Sequence, residues 1–512
     1  MTVRASGILH HPTSLPGRFG VGDLGPAAAF FLQRLAAAGQ RVWQILPVHP
    51  PAGARSPYDA RSTYAGDPLL ISPEELVADG LLPAAALAGV EPMEGGRIAF
   101  GRAQALKQSL LRTSWQHFRS GASAELRDDL GRFAEGAEQA PWLADWTLFA
   151  ALHRRFEGRA WSSWPTDLRR RAPAALGAAG RELAEEIAFE RYVQFLFDRQ
   201  WRALRRRAEA VGVRLYGDLP IYVAYDSADV WADQELFELD AEGQPLAVAG
   251  VPPDTFSDSG QLWGHPLYRW ERHRADGFAW WVRRVASALR RVDLLRLDHF
   301  RGFVAYWRVP AGAGSAREGR WARGPGRRLF AALETALGEL PLIAEDLGSV
   351  TPAVRRLRRE LGVPGMRVVQ FAFDSEDSEH LPERCPPDTV IYSGTHDNDT
   401  TRGWVRVLEG ERRQRLDRYL GLSTASADPG ETVWRLLAAT LGARSELAVV
   451  PMQDVLALGS DARTNTPGVA DGNWRWRMRT DAFTDELVER LRSLTETSGR
   501  WASDAPPGAG GP

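Results

Sequence analysis

A carboxylate between two arginines closes an apolar run at Leu294 to Gly302, which reads Leu-Leu-Arg-Leu-Asp-His-Phe-Arg-Gly. A strand that ends in Arg296, Asp298, His299 and Arg301 puts charge where burial is unfavourable unless the charges are paired or take part in chemistry. Two readings of the stretch stand side by side. One is a structural Arg296–Asp298 ion pair that ties down a strand end; the other is a nucleophilic carboxylate kept ionised by its arginine. Three further acids close apolar runs elsewhere: Asp218 in Tyr-Gly-Asp-Leu-Pro, Glu345 after Leu342-Ile343-Ala344, and Asp397 in Gly-Thr-His-Asp-Asn-Asp. Four carboxylates on one face raise one another's pKa unless cations offset them, and Arg296, His299, Arg301 and His396 are placed in sequence to do so.

Paired carboxylates flanked by aromatic residues point to glycosyl transfer. A retaining mechanism needs one carboxylate to attack the anomeric carbon and a second carboxyl, about 5–5.5 Å away, to protonate the leaving oxygen. The acid must hold its proton near neutrality, which calls for a partly apolar seat with acidic neighbours. Glu345 suits the acid and Asp298 the nucleophile. A magnesium or calcium site built from the same acids is the competing reading, whereas no cluster has the His/Cys spacing of a zinc site.

The elements that must position these residues are legible as short apolar runs. Strand-like runs begin at Gly7, Val42, Val213, Leu294, Leu340, Met366, Thr389 and Leu447, mostly separated by helical patterns. Eight such strands favour a closed (β/α)8 TIM barrel of the α/β class over a doubly wound open sheet. In a barrel the residues at the C-terminal strand ends carry the chemistry, and that is where the four acids fall. Residues 1–55 are expected to hold barrel strands 1 and 2, and residues 56–190 a mostly helical inserted subdomain too long for an ordinary connection. Residues 191–500 complete the barrel, with a mobile Gly/Pro-rich loop insertion at 240–268. The Ala/Pro/Gly-rich segment 501–512 reads as a disordered tail.

Bulk properties exclude several functions. A net charge of −2 and a pI near 6.6 provide no field for nucleic acid or an anionic membrane. Cys385 is the only cysteine, so intramolecular disulfides and cysteine zinc sites are out and a reducing compartment is the easier reading. Lys107 is the only lysine and lies in a helical pattern, which removes a Walker-type phosphate loop and disfavours Schiff-base chemistry. With no leader pattern and no long apolar span, a cytoplasmic location is expected. Nineteen tryptophans supply candidate platforms for sugar rings, although most are expected to pack the core.

With these residues assembled, the sequence resembles the amylomaltase-type 4-alpha-glucanotransferases, or disproportionating enzymes, of glycoside hydrolase family 77 in the alpha-amylase superfamily. The resemblance runs over about residues 7–478 and rests on long motifs. They include His11-Pro12-Thr13-Ser14-Leu15-Pro16, Ser56-Pro57-Tyr58, Gly217-Asp218-Leu219-Pro220, Gly250-Val251-Pro252-Pro253-Asp254 and Gly260-Gln261-Leu262-Trp263-Gly264. The chain continues with Arg296 to Gly302, Ala344-Glu345-Asp346-Leu347-Gly348, Gly394 to Thr400 and Asn473-Trp474-Arg475-Trp476-Arg477. The resemblance implies a barrel with inserted subdomains, no C-terminal β domain, and transfer of α-1,4-glucan segments from a maltodextrin donor to glucose or another maltodextrin by double displacement. It implies Asp298 as nucleophile, Glu345 as general acid/base and Asp397 as the acid that stabilises the transition state. It further implies substrate contacts from Tyr58, Asp218, Gln261, Trp263, Arg296, His396 and Asn465. No metal, cofactor, nucleic-acid or membrane partner is implied, and a monomer or weak dimer is expected. Asp67 and Thr464 depart from the family's usual Asn and Met, which bears on chain-length preference. The rival readings are an α-1,4-glucan hydrolase and a non-catalytic glucan-binding protein.

Overall fold

The computed structural model describes residues 4–53, 55–93, 95–253, 258–422 and 428–501. Asp254 and residues 502–512 of the expected tail lie outside the described residues. The strands are, in chain order, β1 (Ala5–Leu9), β2 (Val42–Gln44), β3 (Arg214–Leu219), β4 (Ala247–Val251), β5 (Gln261–Pro266), β6 (Leu294–Leu297), β7 (Ala305–Pro310), β8 (Arg320–Arg323), β9 (Leu342–Ala344), β10 (Gly365–Val368), β11 (Thr389–Tyr392) and β12 (Leu447–Pro451).

Eight of these form one parallel sheet in the order β10-β11-β12-β1-β2-β3-β6-β9. β9 and β10 bring the sheet nearly to closure. The Ala344 amide donates to the Pro364 carbonyl at 2.9 Å, and the Met366 amide donates to Asp346 Oδ1 at 2.7 Å. The open-sheet alternative is therefore excluded. Alternation along the strands divides the apolar side chains into two sets, as the two-residue period requires. Ala5, Leu9, Val42, Tyr216, Leu294, Ile343, Met366, Val368, Tyr392 and Val449 make one buried cluster inside the barrel. Ile8, Trp43, Leu215, Leu295, Leu297, Ala344, Ile391 and Val450 belong to the larger cluster formed with the surrounding helices.

Residues 73–210 are mainly helical, including Phe100–Gly121, Ala124–Glu135, Ala140–Arg155 and Ala184–Ala210. The 190/191 division drawn from sequence falls inside that last helix, whose 27 residues are continuous because their apolar face has no interruption by Gly or Pro. The insertions are not wholly helical. β4, β5, β7 and β8 build a second, antiparallel sheet in the order β5-β4-β7-β8, so much of 240–268 is strand where a loop was expected. Of the Gly and Pro residues that read as loop, Gly250 and Pro266 are paired within the strands, and Gly264 takes φ +79° at the register shift between β4 and β5. On one side β4 pairs with the nearby β5; on the other its partner β7 lies some sixty residues away, a pairing invisible to local pattern. Among the described residues no strand follows β12, and no helix is long and apolar enough to cross a membrane.

Candidate active site

Strand register assembles the first part of the site. β3 and β6 pair in parallel with Asp218 opposite Arg296, so both side chains face the barrel interior above Tyr216 and Leu294. One guanidinium nitrogen, Arg296 Nη1, donates to Asp218 Oδ1 at 2.8 Å, to Asp218 Oδ2 at 2.9 Å and to Asp298 Oδ1 at 2.9 Å. The side chains of Asp218 and Arg296 are buried, whereas that of Asp298 keeps 24% exposure. The middle of this triad is thus sealed and its far acid faces the open end. Burial pushes the Asp218 carboxyl up, with the Arg296 contact pulling against it. Burial also opposes the charge on Arg296, yet the Asp218 and Asp298 carboxylates hold its guanidinium well above the ordinary value.

Glu345 follows β9, the next strand after β6 in the barrel. His299, at φ +48° in the left-handed region, turns its amide onto Glu345 Oε2 at 2.8 Å. The Leu347 amide donates to Oε1 at 3.0 Å. Burial pushes the Glu345 carboxyl up to about 8; Arg296 and the two amides pull it down, and the charge of Asp298 adds to the rise. At neutral pH Glu345 therefore carries a proton that it can give. The His299 imidazole, lowered to about 4 chiefly by burial, is neutral and offers no charge to offset the acids. Arg301 is also absent from the offsetting set, because its guanidinium lies over the Trp321 ring, 3.8 Å from the centroid.

Asp397 lies in the loop after β11, with a side chain 46% exposed and Oδ2 3.4 Å from His396 Nε2. Asn465 Nδ2 donates to Asp397 Oδ1 at 2.6 Å. Tyr58 joins the two halves. Its hydroxyl donates to Asp218 Oδ2 at 2.6 Å, and its ring stacks on His396 at 5.0 Å and 17°.

The alternation of β5 puts Gln261, Trp263 and His265 on one half-buried face, with Leu262 exposed on the other. Trp263 Nε1 donates to Gln261 Oε1 at 3.1 Å, and the Trp263 ring meets His299 edge-on at 4.9 Å. All ten site residues expected from sequence thus belong to one connected network. It runs from Asn465 through Asp397, His396, Tyr58, Asp218, Arg296 and Asp298, and by way of His299 to Glu345, Trp263 and Gln261.

Sequence reading missed four contributors. The His299 and Leu347 amides act through backbone, which leaves no side-chain signature. Arg463, whose guanidinium donates to the Asp397 and Asn465 carbonyls at 2.6 and 2.7 Å, carries no motif of its own. Trp474, at φ +62° and 6.0 Å from both Tyr58 and His396, was signalled by the Asn473–Arg477 motif without a role. Asp346, adjacent to Glu345, points to β10 and supports that strand. Among the described residues no three His, Cys, Asp or Glu side chains stand together as a metal site would require.

Comparison with known proteins follows this geometry. The family model described as glycoside hydrolase 77, 4-alpha-glucanotransferase, matches residues 10–483. A 4-alpha-glucanotransferase of Thermus thermophilus is 46% identical over 502 residues, covering 97% of this chain and 99% of that protein. One from Synechocystis is 44% identical, covering 97% and 98%. The solved structure of an amylomaltase from Streptococcus agalactiae in complex with acarbose superposes with a TM-score of 0.93 at 34% identity, covering 98% of this chain and 100% of that one.

Proposed function

The chain belongs to glycoside hydrolase family 77, the 4-alpha-glucanotransferases, and from that premise we propose how its acids divide the reaction. The enzyme moves α-1,4-glucan segments with retention. Asp298 attacks the anomeric carbon through Oδ2, since Oδ1 is engaged by Arg296. The glycosidic bond breaks as Glu345 gives its proton to the leaving oxygen, and a glycosyl ester forms on Asp298. In the second half Glu345, now a carboxylate, takes a proton from a hydroxyl of the acceptor sugar, whose oxygen displaces Asp298. Asp397, oriented by Asn465, accepts hydrogen bonds from hydroxyls of the donor ring. Tyr58 and His396 line the seat of that ring, and Gln261 with Trp263 contact the acceptor side.

The observation that carries this reading is the contrast between two neighbouring acids. Asp298 is in contact with a guanidinium, whereas Glu345 is burdened by burial and held protonated to about 8. The expected setting is the cytoplasm, with the protein as monomer or weak dimer. Incubation with maltotriose tests the reaction: glucose together with a ladder of longer maltodextrins is the expected product set, and glucose with maltose alone would establish hydrolysis instead. Asp298→Asn should abolish turnover while folding and glucan binding persist; surviving activity would remove Asp298 from the nucleophile's role and reopen the non-catalytic alternatives for this residue.

A further inference from the structure

Arg301 follows the nucleophile closely, in the short helical turn Phe300–Phe303, and the catalytic network makes no use of it. Its guanidinium carbon lies 3.8 Å from the centroid of the Trp321 ring, and that tryptophan is 42% exposed. A guanidinium laid over an indole keeps its in-plane N–H groups free to donate. Nε is sealed from solvent but the two terminal nitrogens are not, and among the described residues neither of them has a hydrogen-bond or ion-pair partner. Burial holds the Arg301 pKa below the ordinary arginine value, with no neighbouring carboxylate to offset it. A half-buried cation without a counter-ion is unfavourable, which sets Arg301 apart from the solvated arginines of the surface.

Strand register adds a second cation to the same patch. β7 and β8 pair antiparallel with Trp307 opposite Trp321 and Ala305 opposite Arg323, so Trp321 and Arg323 share one face of the sheet. The Trp307 and Trp321 rings meet edge-on at 5.0 Å there. Arg323 is exposed and also lacks a partner among the described residues. The chain just beyond it packs on the turn that carries Arg301. The Gly324 and Gly326 amides donate to the Val304 and Phe303 carbonyls, each at 2.8 Å, and a Cβ at Gly324 would strike the Gly302 and Phe303 carbonyls. Neighbouring strands offer this face Val248, Gly250, Leu262 and Val309, none of them acidic. Glu318, in the loop before β8, accepts the Gly314 amide at 3.1 Å.

The ligand chemistry follows from charge and shape. Two cations call for a dianion, and planar N–H forks match the oxygens of a phosphate. A phosphomonoester carries about −1.5 to −2 charges at pH 7 and three acceptor oxygens, whereas a carboxylate supplies a single charge. We propose that Arg301 and Arg323, backed by Trp321, form an anion site that takes a phosphomonoester. Free phosphate and a phosphate esterified to a sugar present the same group, and the test separates them.

The whole protein is titrated calorimetrically at low ionic strength with inorganic phosphate, glucose 6-phosphate and glucuronate, and with glucose as the control for sugar binding at the catalytic centre. One inorganic phosphate should bind per chain, more weakly as salt is raised. Arg301→Gln and Arg323→Gln should each weaken that binding at least about tenfold. Arg323 is exposed, so its variant tests the site even where Arg301→Gln loses stability. Glucose 6-phosphate binding more tightly than inorganic phosphate, with the same loss in both variants, supports the site with a sugar-borne phosphate as its ligand; equal or weaker affinity supports it with free phosphate. Maltotriose disproportionation without phosphate should be unchanged in Arg323→Gln, so a failure of the catalytic reading is seen separately. The proposal is overturned if inorganic phosphate gives no saturable signal, if either folded variant binds it as tightly as the wild type, or if glucuronate competes as strongly as phosphate.

Discussion

Removing Arg296 tests the site at its centre. Arg296→Ala deletes a guanidinium nitrogen that contacts three oxygens on two acids. The side chain of Asp218 has no exposure, and the Tyr58 hydroxyl at 2.6 Å would be its remaining partner. Breaking a buried pair from one side leaves a charge uncompensated and costs about 3–5 kcal/mol, which urea unfolding with linear extrapolation resolves. A purely structural ion pair predicts that loss and nothing more. The catalytic reading predicts a second effect. Arg296 pulls the Glu345 carboxyl down from the value that burial alone would give, so without it Glu345 holds its proton to higher pH. The basic limb of kcat/KM, expected near 8 in the wild type, should move upward by on the order of one pH unit in the variant. The assay is initial glucose release from maltotriose across the pH range, scored alongside the unfolding curve. Arg296→Lys should fall between the two, because a point charge on a flexible stem cannot hold three oxygens at once. A variant that loses stability but keeps its basic limb in place would refute the electrostatic account, and one that loses less than about 1 kcal/mol would refute the buried-pair account.

Glu345→Gln should lose transfer activity and also change how stability responds to pH. The folded value of about 8 lies above the ~4.3 of an unfolded chain, so the native state keeps a proton that the unfolded state releases. The wild type gains from this fully below ~4.3 and loses the gain as pH rises through 8. The glutamine variant has no such slope, so its melting temperature should improve relative to wild type between pH 5 and pH 9; parallel curves would contradict the shift. Asn465→Ala removes the donor to Asp397 Oδ1, a bond to a charged group worth about 1.5–3 kcal/mol. The expected loss in kcat/KM is roughly tenfold to a hundredfold with an unaltered circular dichroism spectrum, and a change under twofold would remove Asn465 from orienting that acid. Lys107→Met breaks the buried pair with Asp23, 2.7 Å apart, and strips the ammonium from the Leu69 and Ile71 carbonyls. It should cost about 3–5 kcal/mol in urea unfolding while kcat with maltotriose, measured on the folded fraction, stays the same.

What could be read from the sequence follows the range of the forces involved. Barrel strands such as β6 and β11 are short apolar runs bounded by turn residues, and burial on both faces makes that signal strong and local. The acids at their ends were visible for the same reason: a charge that terminates a buried run stands out. β4 and β5 were not visible, because Gly250, Gly260 and Gly264 mark them as loop while the pairing of β4 to β7, which anchors the sheet, depends on residues far along the chain. Gln261 and Trp263 could be named from motif, but that they share a face, and that Trp263 reaches His299, follows only from strand alternation in the folded sheet. The amides on Glu345 were out of reach altogether, since backbone direction at His299 is not written in its side chain.

That backbone turn explains why the nucleophile and the acid form one unit. A left-handed residue other than glycine is disfavoured by about 1–2 kcal/mol, and His299 adopts that conformation immediately after Asp298. The turn fixes the direction of the His299 amide, which binds Glu345 Oε2, while the Glu345 amide binds the Leu297 carbonyl and the Phe300 amide binds the Glu345 carbonyl. Strands β6 and β9 therefore continue to exchange hydrogen bonds past their ends, around the very residues whose side chains face the open end of the barrel. The Glu345 carboxyl is held by the main chain next to Asp298, and the main chain on either side of Asp298 is held in turn by the Glu345 backbone. A substitution at His299 that relaxed the turn would displace Glu345 from Asp298 without removing either carboxyl, so the separation on which a double displacement depends is set by backbone geometry and not by the acids themselves.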